Sequence, residues 1–320
     1  MRLERTAESC PKVRLRAARC ARNRFCLAAA LLLVVPFAGP SVAQPPAYHL
    51  VEPWAQLPAG QQWQTMSAVD LDAHGRIYIL QRGVPSTVMV FAPNGRLLRR
   101  WGEGLFPDAH GLRIDPDGNV WITDRKLHQV LKFSPTGEAL LSIGTRGVSG
   151  DNSSRTALNG PSDVAFGKDG DVFVTDGEST NTRVLHYDRR GTLLTFWGSK
   201  GAGPGQFDAP HAIVTDSRGR LYVADRGNKR VQIFDQDGAV KGEITGVGTP
   251  FGLAMSEKDV LYVADGSKGA ESLTVVDTRD GHVLDRFTES LDGAHMLAVD
   301  RNGAIYVAEA RGKSVRKFVR

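Results

Sequence analysis

The chain has 320 residues, enough for one large all-β domain or two smaller ones, with 40 Lys and Arg against 35 Asp and Glu. The formal charge of +5 is misleading, because residues 1–43 hold eight basic and two acidic residues and leave 32 and 33 in the remainder. A near-neutral remainder carries no bulk electrostatic footprint for nucleic acid, so that partner class is not expected.

In chain order, the basic opening runs into an apolar block at 25–35, then Pro36 and the small residues Ser41, Val42 and Ala43. A basic region, a short apolar region and small residues at −3 and −1 describe a secretory signal peptide over 1–43, cleaved before Gln44. The expected product is exported, periplasmic or extracellular. The apolar block falls short of the ~20 residues of a membrane span, so no stable span is expected after cleavage. Cys10, Cys20 and Cys26 all lie in the leader, which leaves residues 44–320 without disulfide or Cys-ligated metal.

From 66 onward one sentence recurs. Its clearest copy is at 208–234: a strand with His211 near its start, a Ser217-Arg-Gly turn, the apolar strand Leu221–Asp225, a polar loop and the strand Arg230–Phe234. The residues ending each second strand are Gln81, Asp124, Asp176, Asp225, Asp265 and Glu309, spaced by 43, 52, 49, 40 and 44 residues. Asn-Gly and Asp-Gly turns separate the strands, as at Asp117-Gly118, Asp169-Gly170, Asn94-Gly95 and Asp237-Gly238, where tight hairpins need positive φ. Fourth strands follow at 97–101, 139–143, 193–197, 240–244 and 283–287. Four-stranded antiparallel units repeated at this period predict an all-β, six-bladed β-propeller over 44–320. The last unit lacks a fourth strand, and residues 48–51 are expected to supply it and close the ring.

Fourteen residues before each second-strand terminus stand Ser67, His110, Ser162, His211, Phe251 and His295. Histidine thus occupies blades two, four and six. First strands line a propeller's axis, so three imidazoles at one height on alternate blades point at one axial spot. Three His with an open fourth position suit a catalytic Zn²⁺ site. The other five His (His49, His74, His128, His186 and His282) have no such relation.

Loops between second and third strands emerge on the same face as the starts of the first strands. They carry Arg82, Arg125, Lys126, Glu178, Asn181, Arg226 and Arg311, a cationic rim suited to a carboxylate. Asp225 with Arg230 and Asp176 with Arg183 read as structural pairs that fix their loops. Arg82 and Arg226 lack a same-loop partner and are the better candidates for substrate.

Ala109-His110-Gly-Leu, the run 117–124 ending at Asp124, Pro161-Ser-Asp163, Gln206-Phe-Asp-Ala-Pro-His211, Asp225-Arg226-Gly-Asn and Gly293-Ala-His295 carry a family resemblance. They resemble the NHL-repeat propellers, and within them the peptidyl-α-hydroxyglycine α-amidating lyase domain, over roughly residues 66–320. The resemblance implies His110, His211 and His295 as zinc ligands and Arg82 and Arg226 as the arginines that hold the substrate carboxylate. It implies cleavage of an N-acyl-α-hydroxyglycine, a small amide or peptide ending in a carboxylate, to an amide and glyoxylate. A monomer is expected.

Three departures stand out. Where the family has its catalytic Tyr, this chain reads Asp176-Gly-Glu178-Ser179, which leaves Glu178 as a replacement base. The acidic residue that helps bind a structural Ca²⁺ in the family is Met296 here, which puts calcium in doubt. The family's disulfide cysteines are missing. A zinc lyase and a non-catalytic NHL scaffold for a protein or anionic ligand both remain open, with a lactonase-like propeller as a third reading.

Overall fold

The structure, a computed structural model, describes residues 47–288 and 290–320. The leader expected at 1–43 lies outside the described residues.

Six four-stranded antiparallel sheets follow one another along the chain, each in simple sequential order except the last. Blade two is typical, with strands Ala109–Ile114, Val120–Asp124, Gln129–Phe133 and Ala139–Ile143. Its fourth strand, and those of the other four blades that form one from their own unit, fall on the residues expected from sequence. The sixth sheet orders its strands as His49–Leu50, Ser314–Val319, Ile305–Glu309 and Ala294–Val299. His49 pairs with Val319 and Leu50 with Phe318, and the Val51 amide donates to the Lys317 carbonyl at 2.8 Å. The segment before blade one therefore supplies the sixth blade's outer strand, as the missing fourth strand predicted. Tyr48 stacks on Phe287 of blade five with centroids 5.1 Å apart, which adds side-chain packing to that closure.

Local chemistry explains the repeat. At the end of four first strands an aspartate turns the chain: Asp72, Asp115, Asp216 and Asp300 each accept the amides two and four residues on. The carboxylate thus takes over backbone donors that a tight turn leaves free. Second strands are buried on both faces, as Ile77–Gln81 and Leu221–Asp225 are throughout, because each lies between neighbouring sheets. Fourth strands are partly exposed, and Leu97–Trp101 alternates, because one face meets solvent. Apolar clusters join successive blades, and Tyr78, Tyr222 and Tyr306 are almost wholly buried between them. No helix among the described residues is long and apolar enough to cross a membrane.

The acids that end the second strands tie the top loops together. Asp225 accepts the Asp208 amide at 2.7 Å, Arg230 Nε at 2.9 Å and Asn228 Nδ2 at 2.8 Å. Asp176 accepts the Asn159 amide at 2.8 Å and Asn181 Nδ2 at 2.8 Å, and it pairs with Arg183 at 3.0 Å, both side chains fully buried. The structural reading of these pairs holds, and Asn181, 1% exposed, belongs to that scaffold rather than to the rim. The clamps at Asp124 and Asp225 fix the main chain one residue further on, where Arg125 and Arg226 stand.

Candidate metal centre

Each axial histidine sits in a β-bulge. In blade two Ala109 pairs with Asp124 and Leu112 with Ile122, so His110 and Gly111 together oppose Thr123 alone. Blades four and six repeat the slip at His211–Ala212 and His295–Met296. A bulge gives two residues to one partner and re-aims the side chain, here toward the axis. The ring centroids of His110, His211 and His295 lie 4.8, 4.8 and 4.9 Å apart, a near-threefold arrangement. One ring nitrogen of each lies within 4.8 Å of the other two, and all three residues are buried.

The other nitrogen of each ring is anchored. His110 Nδ1 lies 2.8 Å from the Ser162 carbonyl, His211 Nδ1 2.6 Å from Phe251 O, and His295 Nδ1 2.6 Å from Ser67 O. In each case the acceptor is the counterpart position in the next blade. A carbonyl oxygen can only accept, so Nδ1 carries the proton and the neutral ring presents Nε2 as a lone pair. Burial pushes the pKa of His211 and His295 well below the ordinary imidazole value, which keeps both neutral. The Nε2 atoms of His110 and His211 are buried and have no hydrogen-bond partner among the described residues. Buried orphaned acceptors are costly unless something fills them. Three converging imidazoles with carbonyl-anchored Nδ1 atoms, two of them with orphaned Nε2 atoms, fit a divalent ion, and the carbonyls supply the outer-shell hydrogen bonds that metal-ligating His ordinarily make.

Glu178 lies over this centre, 8% exposed at its side chain. Its Oε2 is 3.5 Å from His110 Nε2 and 2.7 Å from Arg125 Nη1. Its Oε1 is 3.6 Å from His211 Nε2 and 2.8 Å from Arg226 Nη1, although no N–H of Arg226 is aimed at it closely enough for a hydrogen bond. Burial opposes ionisation of Glu178, but with both neighbouring imidazoles neutral it is the guanidiniums of Arg226 and Arg125, 2.8 and 2.7 Å away, that outweigh burial and hold the carboxyl below its usual range. The loop expected to carry a replacement base therefore does fold inward, and brings an ionised carboxylate.

The rim residues divide. Arg226 stacks its guanidinium 5.1 Å over the Phe251 ring, and that ring also lies edge-on to His211. Arg82 donates to the Ala109 carbonyl at 2.9 Å and to Ser67 Oγ at 3.0 Å, and has no carboxylate partner among the described residues. Arg125 bridges Asp108 and Glu178. Arg311 pairs with Glu271 and Asp292 of the blade-five and blade-six loops, and Lys126 is exposed. Arg226 is thus not the unpartnered cation that its own loop suggested, since its partner comes from blade three. Arg125 was legible in the sequence: Arg82, Arg125 and Arg226 each stand one residue after the second-strand terminus. Blades three and five have Gly177 and Gly266 there, where a Cβ would approach the Pro210 or Ala294 carbonyl oxygen to 2.2 Å. Met296, 1% exposed in the largest apolar cluster, offers a thioether where calcium would need an oxygen.

Fold and site define a six-bladed propeller with an axial three-histidine centre beneath a cationic rim. The chain belongs to the NHL-repeat β-propeller family and is similar to its peptidyl-α-hydroxyglycine α-amidating lyases. The NHL repeat profile matches residues 106–133 and 207–234, the cores of blades two and four. NHL repeat-containing protein 3 of Homo sapiens is 32% identical over 302 residues, covering 85% of this chain and 84% of that protein. Peptidyl-alpha-hydroxyglycine alpha-amidating lyase 1 of Drosophila melanogaster is 39% identical over 159 residues, covering 47% of this chain and 29% of that protein. Among solved structures, a gluconolactonase from Xanthomonas campestris superposes with a TM-score of 0.63 over 80% of this chain and 86% of its own, at 16% identity, which speaks for the fold alone.

Proposed function

We propose that this protein is an exported, zinc-dependent lyase that cleaves N-acyl-α-hydroxyglycines to an amide and glyoxylate. The observation that carries the reading is the set of three buried imidazoles, each turned by a carbonyl on Nδ1 to present Nε2 to the axis. His110, His211 and His295 would hold the ion, whose chemistry there is Lewis-acid polarisation of the substrate hydroxyl.

The chain's own groups account for the rest. Arg82, which has no carboxylate partner among the described residues, and Arg226 would take the substrate carboxylate, with guanidinium forks matched to its two oxygens. When Arg226 turns from Glu178 to the substrate, Glu178 loses a stabilising charge and becomes a stronger base at the moment a proton must move. Glu178 would take the hydroxyl proton, the C–O bond would become a carbonyl, and the C–N bond would break. The departing amide nitrogen would recover a proton, so atoms and charge balance. Purified, zinc-loaded protein should release amide and glyoxylate in equal amounts. No glyoxylate above the background of free zinc would end the lyase reading.

A second reading is a binding scaffold for an anionic ligand, favoured by Glu178 standing where the amidating lyases carry their catalytic Tyr. Calorimetry would then find a carboxylate ligand on the Arg82–Arg226 rim without turnover. Export is part of the proposal: the mature protein would begin at Gln44 and act as a monomer in the periplasm or medium, which N-terminal sequencing and light scattering check.

A further inference from the structure

We propose that Glu178 is the fourth protein donor of the axial centre, so that the loaded resting site is a closed cage of three imidazoles and one carboxylate. This rests on the reading that His110, His211 and His295 hold a divalent ion, and goes beyond it by assigning the remaining position.

The argument begins with an arrangement that makes little sense without a cation. Nδ1 of His110 and of His211 is committed as a donor, so each Nε2 is an acceptor. Against these acceptors stand the two oxygens of an ionised carboxylate, at 3.5 and 3.6 Å. Acceptors do not bond to acceptors, and these distances exceed a good hydrogen bond. They are close to the spacing of ligands around one small ion: metal–ligand bonds of about 2.0–2.1 Å in a tetrahedron put neighbouring donors about 3.3 Å apart. The imidazole nitrogens stand up to 4.8 Å from one another, so loading would draw the rings together, while the carboxylate is already near its place.

The surroundings hold Glu178 there. Its amide donates to the Gly160 carbonyl at 2.9 Å, and Gly177 beside it leaves no room for a side chain next to Pro210. Arg125 takes one carboxylate oxygen and Arg226 the other, which orients the group and leaves a lone pair on each oxygen for the centre. Arg125 is itself fixed by Asp108 at 2.9 Å, and Arg226 lies over Phe251. A carboxylate placed so firmly over the unfilled nitrogens of His110 and His211 is a preorganised ligand.

The cage has a consequence for substrate class. Four protein donors fill a tetrahedral ion, so a ligand must displace Glu178 to reach it. A plain alcohol offers nothing to the arginines that lose Glu178, and a plain carboxylate offers no second donor. A 2-hydroxycarboxylate supplies both, a carboxylate for Arg226 and one oxygen for the vacated position. The site would therefore admit 2-hydroxycarboxylates selectively.

The test is a titration of metal-free full-length mature protein with Co²⁺ and Zn²⁺ against a competing chelator, comparing wild type with Glu178→Gln and Glu178→Ala. Wild type should give the intense visible bands of four-coordinate Co²⁺. Glu178→Gln should weaken binding on the order of 100-fold, at least the effect of losing an outer-shell partner, and shift the bands. Acetate should restore them in Glu178→Ala. Unchanged affinity and bands in Glu178→Gln would overturn the proposal while leaving the three-histidine site intact, whereas a wild type that binds neither ion would overturn both. Should the variants fail to fold, the wild type still decides: Zn²⁺ loading should shift a carboxylate stretch in the infrared difference spectrum, and no such shift refutes Glu178 as a ligand.

Discussion

His110 Nδ1 lies 2.8 Å from the carbonyl oxygen of Ser162, the residue that holds the same place in the next blade. The relation repeats from His211 to Phe251 and from His295 to Ser67, so every second blade is the outer shell of the one before it. The three non-histidine blades are thereby part of the centre, although none of their side chains at this position points a ligand at it.

Truncating His110, His211 or His295 to Ala should abolish stoichiometric metal binding and leave the far-ultraviolet spectrum of a β protein unchanged. Elemental analysis of each purified variant is the check. A full equivalent of metal in the triple variant would show that the ion sits elsewhere.

Gly111→Ala should weaken the metal without touching a ligand. Its Cβ would lie 2.5 Å from the Ser162 carbonyl oxygen, the acceptor that orients His110, so that carbonyl must shift. The expected loss is about 10–100-fold in affinity, the usual effect of disturbing an outer-shell partner. Chelator competition measures it, and wild-type affinity would mean that the carbonyl does not orient the ring.

Arg226→Ala and Glu178→Gln should separate in steady-state kinetics. The arginine change should chiefly raise KM, and Arg226→Lys should rescue poorly because an ammonium lacks the planar fork. The glutamate change should chiefly lower kcat, by about 10²–10⁴-fold if Glu178 moves the proton. Equal effects of both on KM alone would remove Glu178 from the chemistry.

Deleting residues 44–52 should lower the melting temperature by about 5–10 °C, the shift expected for a few kcal/mol in a domain of this size. The deletion removes the strand paired with Ser314–Val319 and the stack of Tyr48 on Phe287. An unchanged melting curve would mean that this strand does not carry the closure.

Arg183→Leu should destabilise the propeller by about 3–5 kcal/mol, because it leaves the fully buried Asp176 carboxylate without its cation. Denaturant unfolding reads this directly. Asp225 with Arg230 is more exposed to solvent on the arginine side, so the corresponding change there should cost less.

Much of this protein was legible in its sequence because its determinants are local and repeated. Turn chemistry recurs at fixed intervals, second strands read as unbroken apolar runs, and each histidine stands at a constant distance from its blade's reference residue, so counting alone brought His110, His211 and His295 to one height. The ring closure at 48–51 followed from a missing strand, since an unpaired edge must be covered. What the sequence could not supply were relations between loops of different blades. Nothing at positions 125, 178 and 226 reveals that one carboxylate bridges two guanidiniums from blades two and four, because their separation along the chain carries no information about side-chain direction. For the same reason Arg226 read as unpartnered and Arg125 as an ordinary rim cation. The tautomer of each axial histidine was equally hidden: it is decided by a main-chain carbonyl one blade away, and only the curvature that closes six sheets into a ring brings that oxygen within reach of Nδ1.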